Sequence, residues 1–384
     1  MVRNFIIFVV LQVVYSNIAL SQNAIDYINY QNKVNDVELL LRKQCYLEAI
    51  FQYKELQNDY PVLFVKDLHN LSICYLKTNQ LDSAICVAKQ LVLQGRTIET
   101  FDKYEEFRCI ADKNEWKNFV EVYPSLRKQY ERRLDRKFIS MIDSAIISDQ
   151  SFQKISDEKR DSVYYYQGKI LFDYIFDNGF PDFFRNEEEV ITHHLFAMLR
   201  HFFYLPKQIN SDIIKRKPYS EMSFSKPYDD FMLKAVKEGK LLPATYELIM
   251  YHTPADSPYG FVGICFDFDT ETVSMNFGPQ NTNYKEINER RKSIGLALVD
   301  STDENLEGTW YKQVSFKEMK EAYRNCNTCK SFKDYLMQSS EIRERVRKSF
   351  RNEELKSFIF SFDPENISIF QMKGSYKYMP NLRK

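Results

Sequence analysis

Glycine is scarce, with 10 residues in a chain of 384. That disfavours Gly-rich phosphate loops and β-rich folds that need many tight turns. No G-x-G-x-x-G or Walker-type stretch is present, so the common nucleotide cradles have no signature here. An excess of either charge is also lacking. Lysine plus arginine equals aspartate plus glutamate at 53 each, which argues against a dedicated nucleic-acid binder. H-E-x-x-H, a second C-x-x-C and Gly-x-Ser-x-Gly are all missing, which removes the simplest zinc and serine-hydrolase signatures. Nothing implies a cofactor. Beyond the N-terminus, no run is apolar enough to span a bilayer.

The N-terminus is different. One basic residue, Arg3, precedes an apolar run from Phe5 to Tyr15, and small residues follow at Ala19 and Ser21. This pattern predicts a secretory signal peptide over 1–21, with cleavage after Ser21. The expected mature chain is exported, periplasmic or extracellular, with no membrane span. Seven cysteines follow, at 45, 74, 86, 109, 265, 326 and 329. An oxidising compartment allows disulfides, and the odd number leaves a thiol over. Cys74 and Cys86 fall in helical patterns, where a buried free cysteine acts as a small hydrophobe.

Residues 22–126 show self-similarity. Glu48–Pro61 and Ser83–Gly95 align with Ala49 over Ala84 and Ile50 over Ile85, an offset of 35 residues. A tetratricopeptide repeat has a period of about 34. Leu68, Leu71 and Tyr75 fill one helix, a turn follows at Thr78–Gln80, and Ala84 opens the next. A broken helical stretch, Phe107–Pro124, resembles the degenerate last unit of such arrays. Two units are too few for a free-standing solenoid, so the region is expected to pack on a neighbour. Its function is either a groove for a protein or peptide partner or a packing module. No ligand-clamp residue stands out.

Residues 127–300 read as a helical domain. Apolar spacing predicts helices over Tyr130–Lys154, Asp161–Asp182 and Glu187–Pro206, and two short helices hinged at Gly239–Pro243. Gly179 and Pro181 end the second helix. Phe261–Gly278 alternates around a polar turn at Thr270–Thr272, which predicts a hairpin. The order Asp149–Gln150, Gly179–Phe180–Pro181, His201, Tyr259–Gly260, Arg290–Arg291 and Gly295–Leu296 resembles an uncharacterised bacterial domain family. Members of that family often carry an N-terminal signal and tetratricopeptide-like helices. This chain departs from the family pattern in places. Arg200 precedes His201 where the family has glutamine. The stretch before Tyr259 lacks the family's Thr-Asp-Arg, and the glutamine before Tyr-Gly and the Thr-Gln after it are missing. Those departures put in question any active site built from these polar groups.

The candidate chemistry is thin. His201 can serve as a general acid or base, and it shares a helix face with His194. Glu189 and His193 share another face, and His252 lies further on. Tyr259 is a second catalytic candidate. Arg290 and Arg291 are adjacent, about 100° apart on a helix, so they cannot both serve one face. One is expected to turn inward, either as an anion site or in an ion pair, with Asp149 as a candidate partner. Gly295 is expected to cap that helix.

In residues 301–384, Cys326 and Cys329 form a C-x-x-C pair that reads as a local disulfide. Ser357–Gln371 alternates like a hairpin, and Glu341–Lys356 reads as a charged helix. The expected fold is mainly α: tetratricopeptide-like helical hairpins, a helical domain with a small β-hairpin, and a small α+β tail. Two functions stay open. One is a cell-envelope binding or scaffold protein. The other is a hydrolase-like enzyme with His201, Tyr259 and an arginine in one pocket.

Overall fold

A computed structural model describes residues 25–151, 157–186, 189–208, 226–250, 257–259, 263–267, 272–276, 284–298, 314–315, 355–361, 368–373 and 375–376. The described chain is mainly helical. Four helices come first: α1 (Tyr27–Arg42), α2 (Tyr46–Asp59), α3 (Val65–Lys77) and α4 (Leu81–Leu93). Asp26 starts α1 by accepting the Ile28 amide at 2.9 Å, which satisfies one of the free amides at a helix start. Tyr27, Tyr30, Val34, Val37 and Leu41 then form its buried stripe. Each of these helices packs on the next. Two one-turn helices, α5 (Ile98–Phe101) and α6 (Glu105–Arg108), lead to α7 (Asn114–Glu131).

α7 joins two hydrophobic cores. Its Trp116 and Phe119 belong to the first core, with α1–α4. Its Tyr130 belongs to the second. Pro124 lies inside the helix and does not end it. The continuous helix predicted over Tyr130–Lys154 is two helices, because α7 stops at Glu131 and α8 runs Arg136–Ser151. Asp135 causes the restart: its carboxylate accepts the Phe138 amide at 3.1 Å.

The second core is built from α8, α9 (Asp157–Asn178), α10 (Val190–Gln208), α11 (Lys226–Lys237), α12 (Pro243–Met250) and α13 (Tyr284–Ile294). α9 and α10 lie close at Gly168, where an added Cβ would sit 2.8 Å from the Phe202 Cβ. The hinge between α11 and α12 has Gly239 at φ +66. Five strands form one sheet: β1 (Gly263–Asp267), β2 (Thr272–Asn276), β3 (Val314–Ser315), β4 (Ser368–Lys373) and β5 (Ser375–Tyr376), in the order β3-β2-β1-β4-β5. β1 pairs antiparallel with β2, placing Asp267 opposite Thr272, and parallel with β4.

Ser357–Ser361 is not the first arm of a hairpin. It is a non-strand segment packed against the first core, to which Leu355 and Phe358 contribute. It opens on a turn, the Phe358 amide returning to the Leu355 carbonyl at 3.0 Å, and its backbone then bonds to side chains instead of to a strand. Cys45, Cys74, Cys86 and Cys109 are free thiols, and of these four Cys74 is buried. Cys86 is exposed, on the outer face of α4. Cys326 and Cys329 lie outside the described residues. No helix among the described residues is long and apolar enough to cross a membrane.

Candidate functional site

The two arginines on α13 divide as helix geometry demands. Arg291 is buried, and Arg290 is exposed. Arg291 donates through Nε to the Ala297 carbonyl at 2.6 Å and through Nη1 to the Tyr259 carbonyl at 3.1 Å. Arg290 donates to the Pro258 carbonyl. Both therefore hold the short segment Ser257–Tyr259. The carboxylate facing Arg291 is Glu247, at 3.9 Å, not Asp149. Glu247 also accepts the Ser257 hydroxyl at 2.8 Å. Burial pushes the Glu247 carboxyl up, and Arg291 opposes that.

Gly295 ends α13 at φ +84, with the Leu296 amide returning to the Arg291 carbonyl at 2.9 Å. A side chain there would also meet α1, since an added Cβ would lie 2.7 Å from the Gln31 Cβ. Asn35 donates to the Gly295 carbonyl at 3.2 Å, and Asn32 to the Lys292 carbonyl at 3.1 Å. The end of α13 is thus a docking point on α1.

Tyr259 is buried and lies beside Tyr246, with ring centroids 6.2 Å apart. Tyr246 donates its hydroxyl to Asp229 at 2.6 Å. Burial raises the Tyr259 phenol, while a bond to Tyr246 opposes the rise. A raised phenol is the wrong direction for a nucleophile or base near neutral pH. His201 stands elsewhere, on α10, with Nδ1 3.9 Å from the Asp149 carboxylate of α8. His193 is exposed and His194 half-buried; His252 lies outside the described residues. No group of three or more His, Cys, Asp or Glu among the described residues is placed to hold a metal ion.

Two other features stand apart from these residues. A cavity of about 850 Å³ opens between the first helices and the second core. Tyr60, Leu63, Leu93, Tyr130, Phe138, Tyr174, Phe180 and Phe183 line it, so Gly179–Phe180–Pro181 borders this space. Its size suits a small ligand. Its named charges are held by the wall. Lys240 bonds Asp182, Arg185 lies 3.3 Å from the same carboxylate, and Arg133 donates to the Leu93 carbonyl.

The second feature is the polar face of α3. Every residue from Val65 to Tyr75 is buried, including Lys66, Asp67, His69, Asn70 and Ser72. Such groups need partners, and the segment Leu355–Ser361 supplies several. Asn70 donates to the Ile359 carbonyl at 2.6 Å and accepts the Ile359 amide at 2.8 Å. One amide side chain therefore grips both polar groups of one residue. His69 Nε2 lies 2.7 Å from the Ser357 carbonyl, and Arg96 lies 2.6 Å from His69 Nδ1. Because Arg96 is only a donor, Nδ1 accepts and Nε2 carries the proton given to Ser357. Burial, followed by Arg96, holds the imidazole well below its ordinary pKa. Glu38 accepts the Ser361 amide at 2.8 Å and its hydroxyl at 2.7 Å. Glu106 accepts the Ser357 hydroxyl at 2.5 Å.

The charges beneath are balanced. Lys66 lies 2.9 Å from Glu38 and 2.6 Å from Asp67. Burial disfavours its ammonium, but the two carboxylates outweigh burial and keep it charged. Tyr30 donates to Asp67 at 2.6 Å. Around the grip, Tyr46 stacks on Phe358 with centroids 5.7 Å apart. The Arg42 guanidinium lies 4.0 Å from the centre of the Phe360 ring. These clamp residues had no sequence signal, since polar residues on a helix read as a solvated face. Comparison with family models, with curated proteins and with solved structures returns no match.

Proposed function

We propose that this chain is an exported binding protein of the cell envelope. Its tetratricopeptide-like helices form a groove over α1, α3 and α6 that holds a peptide segment by its backbone. The carrying observation is the two-way bond from Asn70 to the Ile359 backbone. Bonds to main-chain groups recognise a peptide segment whatever its side chains, and flanking pockets then add selectivity. Phe358 in its pocket beside Tyr46 and Phe360 beneath Arg42 supply that selectivity. The N-terminal 1–21 pattern supports export, and the motif order from Asp149 to Leu296 supports kinship with the uncharacterised bacterial family. The middle domain then serves as the neighbour that a short repeat array needs. Arg291, Tyr259 and Gly295 act in it as fold-holding residues.

The test is a displayed random-peptide selection on the full mature chain carrying Phe358→Ala and Phe360→Ala, which loosens the native segment. Enriched peptides are expected to contain spaced aromatics and to lose binding when Asn70→Ala is added. Enrichment of peptides indifferent to Asn70→Ala would remove the groove as their site and overturn the reading.

A further inference from the structure

The groove is filled by the protein's own chain. Asn70 and Ile359 are 289 residues apart in sequence, and Glu38 and Ser361 are 323 apart. A contact needed only for packing is met most cheaply by apolar side chains, because each buried polar group carries a desolvation cost unless paired. Here Glu38, His69, Asn70 and Glu106 are all turned on the backbone and hydroxyls of one short segment. They read main-chain groups and hydroxyls along a path that opens on a turn, the Phe358 amide returning to the Leu355 carbonyl at 3.0 Å. The side chains of the segment add an order: hydroxyl at Ser357, aromatic at Phe358, aliphatic at Ile359, aromatic at Phe360, hydroxyl at Ser361.

Resting on the peptide-groove reading above, we propose that Leu355–Ser361 is a latch that occupies the groove in cis. The true ligand is then a segment of another protein with the same pattern, hydroxyl–aromatic–aliphatic–aromatic–hydroxyl, which displaces the latch. A groove closed by its own chain binds such a partner with an affinity lowered by the fraction of open molecules. Binding is therefore governed by whatever loosens the latch. The neutral His69 is one such point. Its Nε2–H is given to Ser357, and Arg96 faces its other nitrogen. Tyr104 and Phe107 pack against the ring from α6 and the turn before it, with Tyr104 centred 4.3 Å away.

The experiment uses the full mature chain and a fluorescein-labelled peptide with the sequence of residues 353–363, followed by anisotropy. Three proteins are compared: the native chain, the Phe358→Ala/Phe360→Ala chain, and the latter with Asn70→Ala. The expected result is binding at least about tenfold tighter to the loosened chain than to the native one, abolished by Asn70→Ala. Equal, Asn70-dependent binding to native and loosened chains would overturn the latch while leaving the groove intact. No binding to a loosened chain that still melts cooperatively would overturn the groove and the latch together. Should the loosened chain fail to fold, hydrogen exchange on the native protein decides. Excess peptide is expected to speed exchange at the Ile359 and Ser361 amides, and unchanged exchange would overturn displacement. A dimer of the native chain that disappears on loosening would identify a second copy's segment as the occupant and overturn the foreign partner.

Discussion

Replacing Arg291 by methionine keeps a long apolar stem and deletes the guanidinium. Two bonds go with it, at 2.6 Å to the Ala297 carbonyl and 3.1 Å to the Tyr259 carbonyl. Buried bonds from a charged donor are worth about 1.5–3 kcal/mol each. The facing Glu247 adds less. At 3.9 Å it is too far for a hydrogen bond, and burial already pushes its carboxyl up against the pull of Arg291. The carbonyl pair therefore sets the cost, at about 3–5 kcal/mol. Calorimetry of the mature chain should show Tm lower by roughly 6–20 °C. Arg291→Lys should lose nearly as much, because one ammonium cannot reproduce the planar fork. Glu247→Gln should cost about 1 kcal/mol or less, and so should the exposed Arg290→Ala. A loss below about 1 kcal/mol for Arg291→Met, or a Glu247→Gln variant as unstable as Arg291→Met, would refute the reasoning. The ion pair, not the fork, would then hold the segment.

Gly295→Ala should cost about 2–4 kcal/mol in a urea melt, from the left-handed backbone and from collision with α1. Phe358→Ala should cost about 3 kcal/mol locally, read as faster exchange of the Ile359 amide without loss of helical circular dichroism. Acid should weaken the seat of the latch. The native His69 pKa lies below its unfolded value of about 6.5, so below that pH the unfolded form binds more protons. Stability then falls with pH, by at most about 1.4 kcal/mol per unit, until the native pKa is passed. Asp67, Glu189 and Glu247 are raised and act with the opposite sign. The difference between native and His69→Gln urea melts at pH 7.5 and 5.0 isolates the histidine. An equal acid response in both proteins would count against it. In thiol labelling read by peptide mapping, Cys86 and Cys109 should react well before Cys74, which is buried and whose thiol burial holds up.

What the sequence made legible was local. Helix type and period followed from apolar spacing, as in Leu68, Leu71 and Tyr75 of α3. The hinge around Gly239 and the stop at Gly295 followed from backbone chemistry that only glycine meets cheaply. The split of Arg290 from Arg291 followed from the angle between neighbours on a helix. Boundaries that depend on one capping side chain were less visible. Asp135 divides a run whose apolar pattern is continuous, and Pro124 sits within a helix that the chain packs from both ends.

The partners were not legible, and the reason is physical. Periodicity records that a face is buried, not what covers it. One arginine of the pair is expected to turn inward, to an anion or to a carboxylate such as Asp149; Arg291 does turn inward and faces Glu247, but its hydrogen bonds close on two carbonyls, which every residue possesses and no pattern marks. The polar face of α3 is the sharper case. Lys66, Asp67, His69 and Asn70 look like a solvated surface, because charged and amide groups are seldom buried. Their burial becomes affordable only with Glu38, Arg96 and a segment 289 residues away in place. The alternation in Ser357–Ser361 is likewise ambiguous, since it reads as a strand, yet the chain there opens on a turn and lies against side chains. The distinction rests on where its amides and carbonyls go. For Ile359 both go to Asn70. A segment whose backbone is held by helix side chains needs no neighbouring strand, so its alternation carries no sheet.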